Sequence, residues 1–261
     1  MTDGDRYVYC LVDARDVTDP SIDVTGIDEQ SVEVVDVDGI GVVTHACDGL
    51  YDTDDQDRIK RWLLAHQSVV DAAGDAFGTP LPLRFDTVFE GGVEGVERWV
   101  SAHRHEIGDH LDSLSGHWEY RVHLLWDDDP FESRVSEEDP ELQDLARRKA
   151  EAGAGKSYML ERQYDQRLRE RKQERRGELI EELIDAVEPV AEEYLEVDAN
   201  GSLVGERRDE ALDQVTRLGV LAREDDEETL GDSLDDVAAI DGVTIRFTGP
   251  WPPYAFAPEF E

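Results

Sequence analysis

The sequence predicts an α+β protein of two small α/β units, each a sheet with helices on one face, joined near Ser115. Three observations carry this. Short runs rich in β-branched and aromatic residues alternate with long runs whose apolar residues recur every three or four positions. The alternation occurs twice, as strand–hairpin–helix–strand–helix and then as strand–long helix–strand–helix–strand, and that pattern suits two layered domains. A length of 261 residues is enough for both to bury cores of their own. The expected domains are residues 1–115 and 116–261, the second carrying a long helix and a C-terminal tail rich in aromatic residues and proline.

The first strand is "RYVYCLV" (Arg6–Val12). "VEVVDV" and "IGVVTH" flank Asp38-Gly39 and predict a hairpin, because that pair tolerates the positive φ of a tight turn. Ile59, Trp62, Leu63, His66, Val69 and Val70 form one stripe of a helix over about 54–77. "TPLPLRFDTVF" follows as a strand and turn bounded by proline. A second helix over about 93–114 turns Val96, Val100, Ile107, Leu111 and Leu114 inward. In "GHWEYRVHLLW" (116–126), Trp118, Tyr120, Val122 and Leu124 alternate with polar neighbours, the mark of a strand with one wet face. An acidic segment from Asp127 to Pro140 leads into a helical region reaching Tyr194, with Pro189 expected to kink or end it. A strand over 214–224, a short acidic helix over 226–240 and a strand over 242–249 complete the chain.

The formal net charge is −38, from 64 acidic and 26 basic side chains spread along the whole sequence. Nucleic acid and anionic membranes are therefore poor partners, since both need basic residues for neutralisation. Such a surface, with lysine only at positions 60, 149, 156 and 172, suits a very salty cytoplasm where short-range screening removes self-repulsion. Cys10 and Cys47 belong to no Cys-x-x-Cys pair. No leader-like run precedes the first strand and no apolar stretch is long enough to span a bilayer, so reduced thiols in a cytoplasmic protein are expected.

Two motifs invite chemistry and fail on context. "EAGAGKS" (Glu151–Ser157) ends like a phosphate-binding loop, but Ala150 stands where the first glycine belongs and a charged helical run precedes it instead of a strand. It reads as a break between two helices, with Lys156 and Ser157 opening the second. In "HRHEIGDH", His105 and His110 are five apart and diverge on a helix, whereas the helical zinc motif needs four. His103, Glu106 and His110 share a face but have no further ligand poised, so no metal or other cofactor is expected. With no activated serine or thiol motif either, an enzyme is not expected.

Two stretches remain. "LPLRF" (Leu81–Phe85) sets Arg84 between apolar neighbours and facing away from both, where it is expected to pair with a carboxylate and anchor the strand to a helix. "TGPWPPYAF" (Thr248–Phe256) is stiffened by proline and presents Trp251, Tyr254 and Phe256 at low entropic cost. Such a tail docks on its own fold or on a partner, and self-docking is the expectation.

Taken in order, "YVYCLV", "GIGVVTH", "HQSVVDA", "LPLRFDTVF", "WEYRVHLLW", "GKSYMLERQ" and "IRFTGPWPPYAF" resemble the gas vesicle protein GvpF/GvpL family over nearly the whole chain. Asp86 stands where the family commonly has glycine, and Ala255 where serine is usual. The resemblance implies a second domain of ferredoxin-like fold. It also implies an accessory or minor structural role in gas vesicle assembly, through contacts with the shell protein and other accessory proteins, with no enzymatic activity. A cytoplasmic, vesicle-associated protein of a halophilic archaeon fits both the family and the charge, and the length favours the L-type. Arg84, Phe85, Trp251, Tyr254 and Phe256 are the candidate partner-binding or structural residues. The rival expectation is a ferredoxin-like regulatory protein that binds a small ligand or nucleotide.

Overall fold

The computed structural model describes residues 4–18, 20–197, 212–258 and 260. The first half runs β1 (Asp5–Asp13), β2 (Glu33–Val37), β3 (Ile40–Cys47), α1 (Gln56–Phe77), β4 (Leu81–Pro82), β5 (Val88–Phe89) and α2 (Gly92–Leu114). The second runs β6 (His117–Trp126), α3 (Asp129–Glu138), α4 (Pro140–Ala150), α5 (Ala154–Val187), β7 (Glu193–Glu196), β8 (Asp213–Arg223), α6 (Glu227–Ala238) and β9 (Val243–Trp251).

The first sheet has the order β2-β3-β1-β4 with all pairs antiparallel, and β5 also pairs with β1. β4 and β5 lie end to end along β1, opposite Cys10–Leu11 and Arg6–Tyr7 respectively. The β2–β3 hairpin turns at Asp38 and Gly39 with φ of 53° and 90°, and Asp36 Oδ1 accepts the Gly39 N–H at 2.9 Å. Asp55 caps α1 by accepting from the backbone of Asp57 and Arg58.

This sheet has a helix on each face, not on one. Val8 and Leu11 pack with Val96, Val100 and Ile107 of α2. Tyr7, Tyr9, Cys10 and Val12 pack with Trp62, Val69 and Val70 of α1. A bulge between Val8 and Cys10 puts Tyr9 and Cys10 in the same core, and with a helix over each face β1 is buried almost end to end. An apolar run without alternation is the signature of a strand covered on both sides.

The second sheet has the order β7-β8-β6-β9, again antiparallel. Tyr120, Val122, Leu124 and Trp126 of β6 meet Leu218, Val220 and Ala222 of β8 under side chains from α3, α4, α5 and α6. The acidic segment after β6 is the helix α3, whose Phe131 and Val135 are buried. The long helix stops at Val187, before Pro189, and does not reach Tyr194, which lies in the short edge strand β7. β9 runs to Trp251, past the expected end at Gly249, and its edge position leaves Pro250 no ladder bond to break. Trp118 of β6 reaches into the first half, where a Cβ at Gly74 of α1 would lie 2.9 Å from its ring.

Candidate functional site

Beyond β9 the chain turns over the sheet face that the helices leave open and then crosses onto the first half. Glu119, only 2% exposed, anchors the crossing: Oε2 accepts the Ala255 N–H at 2.8 Å and Oε1 accepts from Arg121 Nε at 2.8 Å. Trp251 pairs in register with Glu119, and the Arg121 guanidinium lies 5.8 Å from the Trp251 ring centroid. Gly219 on β8 leaves room here, since a Cβ there would sit 3.6 Å from Cβ of Ala255 and 3.2 Å from Val197.

From Ala255 the flanking rings part across the β4 edge of the first sheet. Tyr254 joins the core under α1, its ring centroid 6.3 Å from that of His66. Phe256 and Ala257 join the core under α2. Phe260 stands edge-on to Trp99 at 5.2 Å, with His103 and His110 also against its ring at 6.4 and 6.3 Å. The tail thus straddles one sheet edge, with a ring in each core. Burial raises the Tyr254 hydroxyl pKa well above the usual tyrosine range, so it is neutral.

Phe85 and Tyr254 converge on His66, with Phe85 at 6.0 Å. Phe85 also lies 6.1 Å from Tyr7. Arg84 is exposed, not part-buried as its apolar neighbours suggested. Its strand ends at Pro82, and Arg84 lies in the turn between β4 and β5, where Thr87 Oγ1 donates to its carbonyl at 2.6 Å. Together with Phe89, Trp99, Tyr254, Pro258 and Phe260 it borders a cavity of about 560 Å³ between tail and first half.

Asp86 has a φ of 68°, the left-handed region that glycine enters freely and aspartate tolerates. Its carboxylate accepts the Tyr51 N–H at 2.8 Å, while its own N–H donates to the Tyr7 hydroxyl at 3.1 Å. Behind it, the Tyr7 hydroxyl and His66 Nδ1 are 2.8 Å apart, as are His45 Nε2 and the Tyr51 hydroxyl. Desolvation pushes both His45 and His66 down to about 4, with nearby Arg6 adding to the effect at His45. Both rings are therefore neutral core members at ordinary pH.

Lys156 is exposed in the first turn of α5, and α4 occupies the place where a phosphate-binding loop needs a strand. Among the described residues no three His, Cys, Asp or Glu side chains form a metal-holding group. None of the described helices is long and apolar enough to cross a membrane. Sequence reasoning missed Glu119, Arg121, Gly219 and Phe260. Glu119 and Arg121 looked like the wet side of a half-buried strand, and their only signal was adjacency to large strand residues.

The family described as Gas vesicle synthesis protein GvpL/GvpF matches residues 5–258. Gas vesicle protein L2 of Halobacterium salinarum is 53% identical, with 99% of this chain and 93% of that protein covered. Gas vesicle protein L1 of the same organism is 50% identical over 97% of this chain and 90% of its own length. Gas vesicle protein L of Haloferax mediterranei is 42% identical, covering 99% and 89%. The crystal structure of gas vesicle protein GvpF from Anabaena sp. PCC7120 has the same fold, with a TM-score of 0.76 at 20% identity over 99% of this chain and all of that one.

Proposed function

The chain belongs to the GvpL/GvpF family of gas vesicle synthesis proteins, and from that premise we propose that it is an accessory or minor structural protein of gas vesicle assembly. It works in the cytoplasm and at the growing vesicle, by contact with the shell protein and other accessory proteins. A ferredoxin-like second domain is part of this proposal, supported by its strand–helix–strand–strand–helix–strand order and the sheet order β7-β8-β6-β9. So is the division into domains 1–115 and 116–261, supported by each sheet taking its strands from one of these ranges. No catalytic step belongs to it; burial raises the Cys10 thiol pKa, the opposite of what an activated nucleophile needs.

One observation carries the proposal: the tail is docked across both halves and forms one wall of the cavity beside Arg84. In this reading Phe85, Tyr254 and Phe256 hold the strap, Trp251 fixes where it leaves the sheet, and Arg84 faces the partner. The test compares wild type with Arg84→Glu and with Tyr254→Ala/Phe256→Ala in molar KCl. Thermal melts are read beside the binding of purified shell protein and of each accessory protein. Arg84→Glu is expected to melt like wild type and lose a partner, and the aromatic pair to lose both stability and partners. Full partner binding and normal vesicles with Arg84→Glu would remove this surface from the proposal.

A further inference from the structure

The molecule is acidic, but one part of it is not. Residues 147–176, from the end of α4 through two-thirds of α5, hold eleven of the 26 basic side chains and only five acidic ones. Most of those cations are engaged within the fold. Arg167 and Arg171 hold Asp139, the cap of α4, while Lys172 spans Asp128 and Glu132, and Arg175 spans Glu178 and Glu182. Arg162 and Arg169 are exposed and make no ion pair among the described residues. Beside them stand Tyr158 and Met159, 60% and 65% exposed. Met159, Arg162, Gln166 and Arg169 follow at spacings of three and four, so they share one stripe, on the side of α5 away from Leu160, Tyr164 and Leu168.

A matching stripe lies on α6. Glu228, Asp232 and Asp235 are exposed, share a face at spacings of four and three, and make no ion pair among the described residues. Leu230, Leu234 and Val237 occupy the buried side of that helix. Ala238 and Ala239 end it with small, exposed side chains.

We propose that the Tyr158–Arg169 stripe docks on the outer face of α6 of a second copy of the chain, helix antiparallel to helix. Two of the three carboxylates, Asp235 and Glu228, fit the arginines in register. Arg162 and Arg169 are seven residues apart, as are Asp235 and Glu228, so each pair spans about 10.5 Å at about 1.5 Å per residue. Setting Arg162 opposite Asp235 sets Arg169 opposite Glu228 and lays Tyr158 and Met159 over Ala239 and Ala238. Two unlike surfaces meet, so copies add head to tail. Screening to about 3 Å in molar salt removes the general repulsion between two such acidic chains, while direct guanidinium–carboxylate contact and the apolar end survive.

Analytical ultracentrifugation of the full chain tests this, from tens of millimolar to molar KCl. In molar KCl the mass should rise with protein concentration to at least twice the 29.4 kDa of one chain. Arg162→Glu with Arg169→Glu should weaken association by more than tenfold while circular dichroism stays that of wild type. Glu228→Arg with Asp235→Arg should do the same. Mixing the two folded double variants should restore association between them, because the charges are then swapped across the contact. A wild-type chain that stays monomeric at all concentrations overturns the proposal. So does association indifferent to the reversals, or a mixture that fails to recover. Loss of a different acidic vesicle protein by the arginine variant, with a monomeric wild type, also overturns it and assigns the stripe to that protein.

Discussion

The sheet of β2, β3, β1, β4 and β5 has a helix packed on each face, whereas the sheet of β7, β8, β6 and β9 gathers all its helices on one. The other face of the second sheet carries Glu119, Arg121, His123 and Arg217, yet Glu119, His123 and Arg217 are buried. At its Glu119–Gly219 end the cover is the chain's own tail, held by one buried carboxylate. Polar side chains on alternate strand positions thus mean different things according to what arrives later in the sequence. In the first half the cover is intrinsic to neighbouring helices. In the second, part of it depends on a segment more than a hundred residues away along the chain.

Removing that segment is the strongest way to break the contrast. Deleting Pro250–Glu261 takes away the Trp251, Tyr254, Phe256 and Phe260 rings; at about 2–3 kcal/mol for each well-buried ring, stability should fall by more than about 4 kcal/mol. Thermal melts in molar KCl should show a large drop, with both cores loosened because the tail has a ring in each. A melt like that of the full chain would mean that the two halves hold together without the strap.

Acid should strike the first half before the second. His45 and His66 are buried and neutral in the fold, at about 4, against about 6.5 for a free histidine. Between those values the unfolded chain binds more protons, so their contribution is complete above about pH 6.5 and lost as pH falls toward about 4. For the well-buried His66 the loss amounts to about 3 kcal/mol. Melts at a series of pH values at constant salt check this, and His66→Gln should flatten the decline. A decline that is as steep in that variant would assign acid sensitivity to other groups.

Cutting the anchor alone should cost less than deleting the tail. Glu119→Ala leaves the Ala255 N–H and the Arg121 guanidinium without their acceptor, a loss of about 2 kcal/mol given that Arg121 keeps some access to water. Amide exchange at Ala255 and its neighbours should speed up before exchange in β1 does. Equal acceleration in both places would show that Glu119 supports the whole fold and not the strap alone.

The smallest effect is expected at Arg84. As an exposed turn residue its replacement by alanine should change stability by no more than about 0.5 kcal/mol, in contrast to the several kcal/mol appropriate to a buried ion pair. A clear fall in melting temperature would restore the anchoring role that its apolar neighbours suggested.

Much of the layout was legible locally. The stripe through Trp62, His66, Val69 and Val70 marked α1, Asp38-Gly39 marked its hairpin, and Val96 through Leu114 marked the inner side of α2. The errors lie where local cues tie. "EYLE" is too short and too polar to separate from the helix before it, and it becomes β7 only by pairing with β8. The acidic run after Trp126 hides a helix whose two apolar residues, Phe131 and Val135, acquire meaning only under the second core. Of the candidate site residues, Phe85, Trp251, Tyr254 and Phe256 stood out as aromatic residues in stiff or apolar settings. Their receiver did not, because the only local sign at Glu119 was its place between Trp118 and Tyr120.

The sequence by itself determined the class of elements, their order, the acidic surface and the family, since each rests on nearest-neighbour chemistry, periodicity or composition. Tertiary structure decided which strand faces are covered, where the tail lands, and that Arg84 is outside while Glu119 is inside. Those outcomes depend on contacts between residues far apart in the chain, whose free energy exists only once both partners have been brought together.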